Sequence, residues 1–98
     1  MSVTVIYSFE AVPGKADELL TLLQQGREFA ASVEGFEGFD VHQGDDDPHR
    51  FVMVERWASV EAHQAHFEQN VKASGVLDRA EALMTAPFQV SDAYYVLR

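Results

Sequence analysis

The chain contains no cysteine, which excludes disulfides, thiolate metal sites, iron–sulfur clusters and a cysteine nucleophile together. Basic residues are few: seven Lys and Arg stand against sixteen Asp and Glu, for a net charge of −9. Those cations are scattered from Lys15 to Arg98 instead of lining one face, so nothing would neutralise a phosphate backbone and nucleic acid is not expected as a partner. No apolar run approaches the roughly 20 residues that cross a bilayer. The opening MSVTVIYSFE lacks a basic region followed by an uninterrupted apolar core, so no membrane partner and a cytoplasmic location are expected. A glycine-rich phosphate loop is missing too, as are linkers, low-complexity tracts and short repeats.

What is present is globular. Of 98 residues, 47% are hydrophobic and 23% charged, a balance that supports one core and a single domain over 1–98. Val3 to Glu10 alternates through Val3, Val5, Tyr7 and Phe9, all good β-formers, and predicts a strand ending at Val12-Pro13-Gly14. The apolar period then changes. Ala16, Leu19, Leu20, Leu23 and Ala30 recur at helical spacing, with Asp17 and Glu18 complementing the helix dipole in the first turn, and predict a helix to about Ser32. Phe39 to Gly44 reads as a short strand, with Phe39, Val41 and Gln43 on one side and Asp40 and His42 on the other. Asp45-Asp46-Asp47-Pro48-His49 is a hairpin loop, and its spacing lacks the ligand pattern and glycine of a calcium loop.

Arg50 to Trp57 is the partner strand. Ser59 is placed to cap a helix from Val60 to about Glu68, which Asn70 is expected to interrupt. Val76, Leu77, Ala80, Leu83 and Met84 predict a second helical stretch up to Pro87, and Phe88 to Leu97 alternates as the last strand. The order strand, helix, strand, strand, helix, strand is that of an α+β, ferredoxin-like βαββαβ fold with an antiparallel sheet. Helices cover only one face of such a sheet. The other, carrying valine and aromatic residues, needs cover of its own, and a homodimer closed face to face supplies it.

Three groups of residues could carry chemistry. His63 and His66 are three apart on one predicted helix, about 300° around, and so neighbours on one side. The pair either packs against the body or provides a general base, for which an imidazole titrating near neutrality is suited. Two histidines alone do not complete a catalytic metal site, and no metal is expected. Glu55 and Trp57 share a strand face with Phe51 and Met53. A carboxylate in that company either pairs with an arginine or lines a pocket with its pKa raised. Trp57 fills the core or forms a substrate platform, and Tyr7, Phe9 and Tyr94 pose the same choice. A tyrosine hydroxyl inside a pocket could orient a phenol or quinone oxygen.

The stretch FDVHQGDDDPHRFVMVERWASVEAHQAHFE resembles the central signature of antibiotic-biosynthesis-monooxygenase domains. There a glycine-led strand, an acidic Pro-containing hairpin and a strand ending in Glu-Arg-Trp lead into a helix that opens with Ser and carries Glu-Ala-His and a later His. Val12-Pro13-Gly14-Lys15 is similar to the family's entry to the first helix, and Leu83-Met84-Thr85-Ala86-Pro87 to its exit toward the last strand. The resemblance implies a dimeric α+β barrel and cofactor-independent monooxygenation: a small phenolic, quinol or anthrone-like molecule is deprotonated, and its anion reduces dioxygen. It implies His66, matching the family's later His, as the preferred base, with His63 and Glu55 beside it. Tyr7, Phe9, His42, Trp57, Phe67 and Tyr94 would surround the substrate. The haem-degrading branch of the family carries an Asn, a Trp and a His that fall here on Tyr7, His66 and Val76; without the axial His, haem is not expected. Two other readings stay open. One is an isomerase moving protons beside the carbonyl of a keto-sugar phosphate, which Ala86-Pro87-Phe88 serves poorly because no basic residue is there. The other is a non-enzymatic dimeric module that binds a small ligand.

Overall fold

In the computed structural model, which describes residues 1–87 and 90–97, the chain runs β1 (Val3–Glu10), α1 (Ala16–Ala30), β2 (Phe36–Gln43), β3 (Arg50–Trp57), α2 (Val60–His66), a π-helical segment (Phe67–Lys72), α3 (Val76–Glu81) and β4 (Val90–Tyr95). The sheet order is β2-β3-β1-β4 and the pairs β1–β3, β1–β4 and β2–β3 are antiparallel. This is the ferredoxin-like α+β arrangement that the alternation of periods predicts. β1 and β3 begin and end where their sequence patterns do. β2 starts three residues earlier than predicted, at Phe36, because the register slips between Phe36 and Gly38 and lets Phe36 pair opposite Trp57. The start of the predicted last strand, Phe88 and Gln89, lies outside the described residues.

Register decides which side chains meet the helices. Val3, Val5 and Tyr7 of β1 stand beside Trp57, Glu55 and Met53 of β3, and all six are buried. Leu19, Leu23 and Ala30 of α1 and Ala80 of α3 close on them. Emptying one such site, as in Leu19→Ala, costs about 2–5 kcal/mol. The alternate positions Ser8, Val52 and Arg56 face outward and are exposed. The far end is fastened by backbone hydrogen bonds: Val12 N–H to Leu83 carbonyl and Thr85 N–H to Glu10 carbonyl, both 2.9 Å, beside an Ala11–Met84 bridge.

Two local devices position α2. The Ser59 hydroxyl accepts from the Ala62 N–H at 3.0 Å, the cap its place in the sequence suggests. Before it, Gly35 takes φ +90°, and its carbonyl accepts from the Ala58 N–H at 2.8 Å. A side chain there would come within 2.7 Å of Ala62 Cβ, so only glycine lets the helix start this close to β2.

After β3 two expectations fail in detail: α3 ends at Glu81, short of the predicted Pro87, so Leu83 and Met84 lie beyond the helix. Asn70 does not interrupt the helix after Glu68; winding continues, but as π-helix through Phe67–Lys72, and the chain turns only at Gly75, with φ +81°. An extra residue is absorbed in the widened turns, a feature that sequence periodicity does not reveal and that recurs near functional sites. Among the described residues no helix is long and apolar enough to cross a membrane.

Candidate functional site

A cavity of about 70 Å³ lies between the sheet and the helices. Leu23 of α1, Phe39 of β2, Met53 of β3, Phe67 and Val71 of the π segment and Val76, Leu77 and Ala80 of α3 form most of its wall. Four polar side chains enter it: Tyr7 from β1, Glu55 from β3, and His63 and His66 from α2. Beyond His66 an outer hollow of about 220 Å³ continues past Leu22, Gly26, Val71 and Val76, which border both spaces. Its rim carries Gln25, Phe29, Asn70, Ser74 and Arg79. An apolar inner chamber with a few convergent polar groups and a more polar mouth is the form a small-molecule site takes.

The polar groups are tied in pairs. The Tyr7 hydroxyl and His63 Nε2 are 2.6 Å apart. Burial, with the Glu55 carboxylate adding to it, drives the phenol's pKa far above its ordinary value, so Tyr7 stays protonated and donates. His63 therefore accepts at Nε2, and its own desolvation lowers its pKa and keeps the ring neutral. Trp57, fully buried, donates its indole N–H to Glu55 Oε1 at 2.8 Å. Glu55 is only 6% exposed, and burial raises its pKa to about 7 against the lowering effect of the indole bond. The arginine partner considered for Glu55 is not there: Trp57 is its hydrogen-bond partner, and no ion pair forms with it among the described residues.

His66, at 7% exposure, is a buried member of the site. Its ring stacks on Trp57 with centroids 4.8 Å apart and planes at 29°, and Phe29 lies near-parallel at 6.4 Å. Burial, followed by the neighbouring His63, lowers its pKa. Its Nδ1 is 3.1 Å from Nδ2 of Asn70. Among the described residues no cluster of three His, Asp or Glu side chains is grouped to hold a metal ion.

The predicted site residues thus divide. Tyr7, Glu55, His63, His66 and Phe67 line the cavity, and Trp57 stands behind it as the buried support of both Glu55 and His66. Phe9 does not reach it; its ring stacks on Phe51 at 5.6 Å, toward the opposite end of the strands. His42 pairs opposite Val52, and Tyr94 opposite Thr4, so both belong to the outward face, with Tyr94 55% exposed. Strict alternation sends those two side chains away from the helices. Reasoning from the sequence missed Asn70, whose signal was its spacing of four from His66, and the apolar wall from α1 and α3, which became legible only once the helices were packed.

A ferredoxin-like sheet with a helix-covered cavity of this composition defines the class. The chain belongs to the antibiotic biosynthesis monooxygenase family, whose sequence profile matches residues 2–71. No curated protein sequence matches it. Solved structures similar to it include the PA3566 protein of Pseudomonas aeruginosa, 27% identical over 99% of this chain and 95% of that one, with a TM-score of 0.80. The Rv0793 protein of Mycobacterium tuberculosis is 22% identical over 100% and 97%, with a TM-score of 0.85. An antibiotic biosynthesis monooxygenase is 19% identical over 98% and 99%, with a TM-score of 0.83. At these identities the second and third speak for the fold alone.

Proposed function

We propose that this chain is a cofactor-independent monooxygenase acting on a small phenolic, quinol or anthrone-like molecule. The observation that carries the reading is the convergence of Tyr7, Glu55, His63 and His66 on one otherwise apolar cavity. An aromatic substrate would enter through the outer hollow with its reactive edge against these groups, and its apolar remainder would displace water. Proton abstraction falls to His63 through Tyr7: the substrate proton passes to the phenolic oxygen as the phenol's own proton moves to His63 Nε2, across the existing 2.6 Å bond. Tyr7 remains neutral and its hydroxyl can donate to the new anion. This shifts the base from His66, which the family resemblance favours, because His66 is engaged at Nδ1 by Asn70.

For an anthrone-type methylene, the carbanion gives one electron to dioxygen and the radical pair joins as a carbon–oxygen bond. The resulting peroxide anion takes the proton back from His63 through Tyr7; the hydroperoxide then gives its remaining C–H proton to the same pair and breaks its O–O bond, so CH2 plus O2 becomes C=O plus water. Glu55, poised near pH 7, is suited to protonate the departing hydroxide. The reading includes a homodimer in the cytoplasm, closed through the outward sheet face that carries Val52 and Tyr94.

An oxygen electrode tests it. Quinols and anthrones would be offered to the purified chain with added chelator; uptake that falls about 100-fold in His63→Gln supports the assignment. Proton exchange into a keto-sugar phosphate without uptake would favour an isomerase, and tight binding without turnover a ligand-binding module.

A further inference from the structure

The His66 ring has little freedom. Trp57 and Phe29 hold its plane, and within that plane one hydrogen bond decides which nitrogen is engaged. That partner is the amide nitrogen of Asn70, 3.1 Å from Nδ1. An amide NH2 has hydrogens to give and accepts nothing, so with the Asn70 amide in this orientation Nδ1 is the unprotonated nitrogen of a neutral ring. The ring's single proton then sits on Nε2.

We propose that Asn70 is a positioning residue that locks His66 as the Nε2–H tautomer, making His66 a hydrogen-bond donor to a substrate oxygen instead of a base. The inference deepens the monooxygenase reading and rests on it for the identity of that oxygen: a phenol, quinol or anthrone oxygen on which negative charge collects as His63 takes the proton. A donor fixed before the charge develops, inside a mainly apolar chamber, stabilises the anion without reorganising. The two histidines then divide the work, one receiving a proton and the other holding the oxygen. Asn70, inside the π segment and four residues after His66, lies on the same edge of the helix. The ionisable groups around His66 in the hollows it lines are His63 on α2, Tyr7 on β1, Glu55 on β3, Arg79 on α3 and Glu34 before β2, while the α1 side chains there are all uncharged.

The test is a histidine-labelled 15N sample of the whole chain, read by long-range 1H–15N correlation, which separates the two neutral tautomers. Wild type should give His66 as Nε2–H. Asn70→Asp, whose carboxylate can only accept, should switch it to Nδ1–H and raise its titration midpoint by about one unit or more; Asn70→Leu should leave a mixture. On a turned-over substrate Asn70→Asp should lower kcat at least tenfold with KM changed less than threefold. A wild-type ring protonated at Nδ1, or one tautomer common to all three proteins, overturns the proposal whether or not any variant folds poorly. Absence of oxygen uptake with an Nε2–H ring would instead sink the monooxygenase reading and leave the tautomer lock standing.

Discussion

The Tyr7 hydroxyl reaches His63 Nε2 at 2.6 Å across 56 residues of sequence, joining the first strand to the second helix inside the cavity. Because the phenol is the donor, removing it leaves a half-buried imidazole nitrogen without its hydrogen. Tyr7→Phe should cost about 1 kcal/mol of stability, the usual worth of one such bond. It should also raise the His63 titration midpoint, since the neutral ring loses the contact that favoured it, and lower kcat about 100-fold. NMR titration and oxygen uptake check the two halves separately.

Glu55 links stability to pH. Its pKa is raised from an ordinary 4.5 to about 7, so between those values the unfolded chain releases a proton that the folded chain keeps. The stabilising effect is complete below pH 4.5 and is lost as pH rises through about 7, amounting to roughly 3 kcal/mol. Glu55→Gln keeps an acceptor for the Trp57 indole and has nothing to ionise. Denaturant midpoints measured from pH 4 to 8 should fall less steeply for this variant than for wild type; parallel curves would contradict the assignment.

Trp57 is the chain's only tryptophan and touches three titrating groups, by hydrogen bond to Glu55, by stacking on His66 and edge-on to His63. Its emission should therefore change in two steps, one near pH 7 and one below the ordinary histidine value of 6.5. The first should vanish in Glu55→Gln, and the second should shrink in His66→Gln to what the edge-on His63 contributes. A fluorescence titration is sufficient.

Gly35 holds a left-handed conformation with Ala62 Cβ in the space its side chain would need. Gly35→Ala should destabilise the fold by about 1–3 kcal/mol through strain alone. Pairing it with Ala62→Gly removes the clash but not the strained φ, so thermal unfolding of the double variant should recover only part of the loss.

Val52 is 38% exposed and Tyr94 55% exposed on the sheet face away from the helices. If that face is closed by a second copy, Val52→Lys with Tyr94→Lys should convert the dimer to a monomer in sedimentation at micromolar concentration. An unchanged mass would remove this face from the proposed interface.

How much of this was legible in sequence depends on the range of the interaction. Alternation in Val3–Glu10 and Arg50–Trp57 fixes which side chains turn inward, and from it follow the burial of Tyr7, Glu55 and Trp57. Ser59 announces its cap because capping is local. The Tyr7–His63 bond is not local, and nothing in either segment names the other. Likewise Glu55 finds an indole two residues away instead of an arginine, a choice made by packing. The same alternation already separated His42 from Phe39, so its assignment to the substrate had little support from strand geometry.

The π-helical stretch Phe67–Lys72 carries one last implication, about how such a site could change over generations. A single excess residue in a helix is the smallest lesion that can be undone by deletion while both flanks stay docked. Losing the exposed Gln69 would restore regular winding and bring the asparagine to three positions from His66, still a neighbour on that side but approaching the ring from a different angle. One codon's loss could thus change the angle at which the amide meets the imidazole and leave the scaffold intact, so that a short indel retunes the chemistry where a point substitution in the core would merely weaken it.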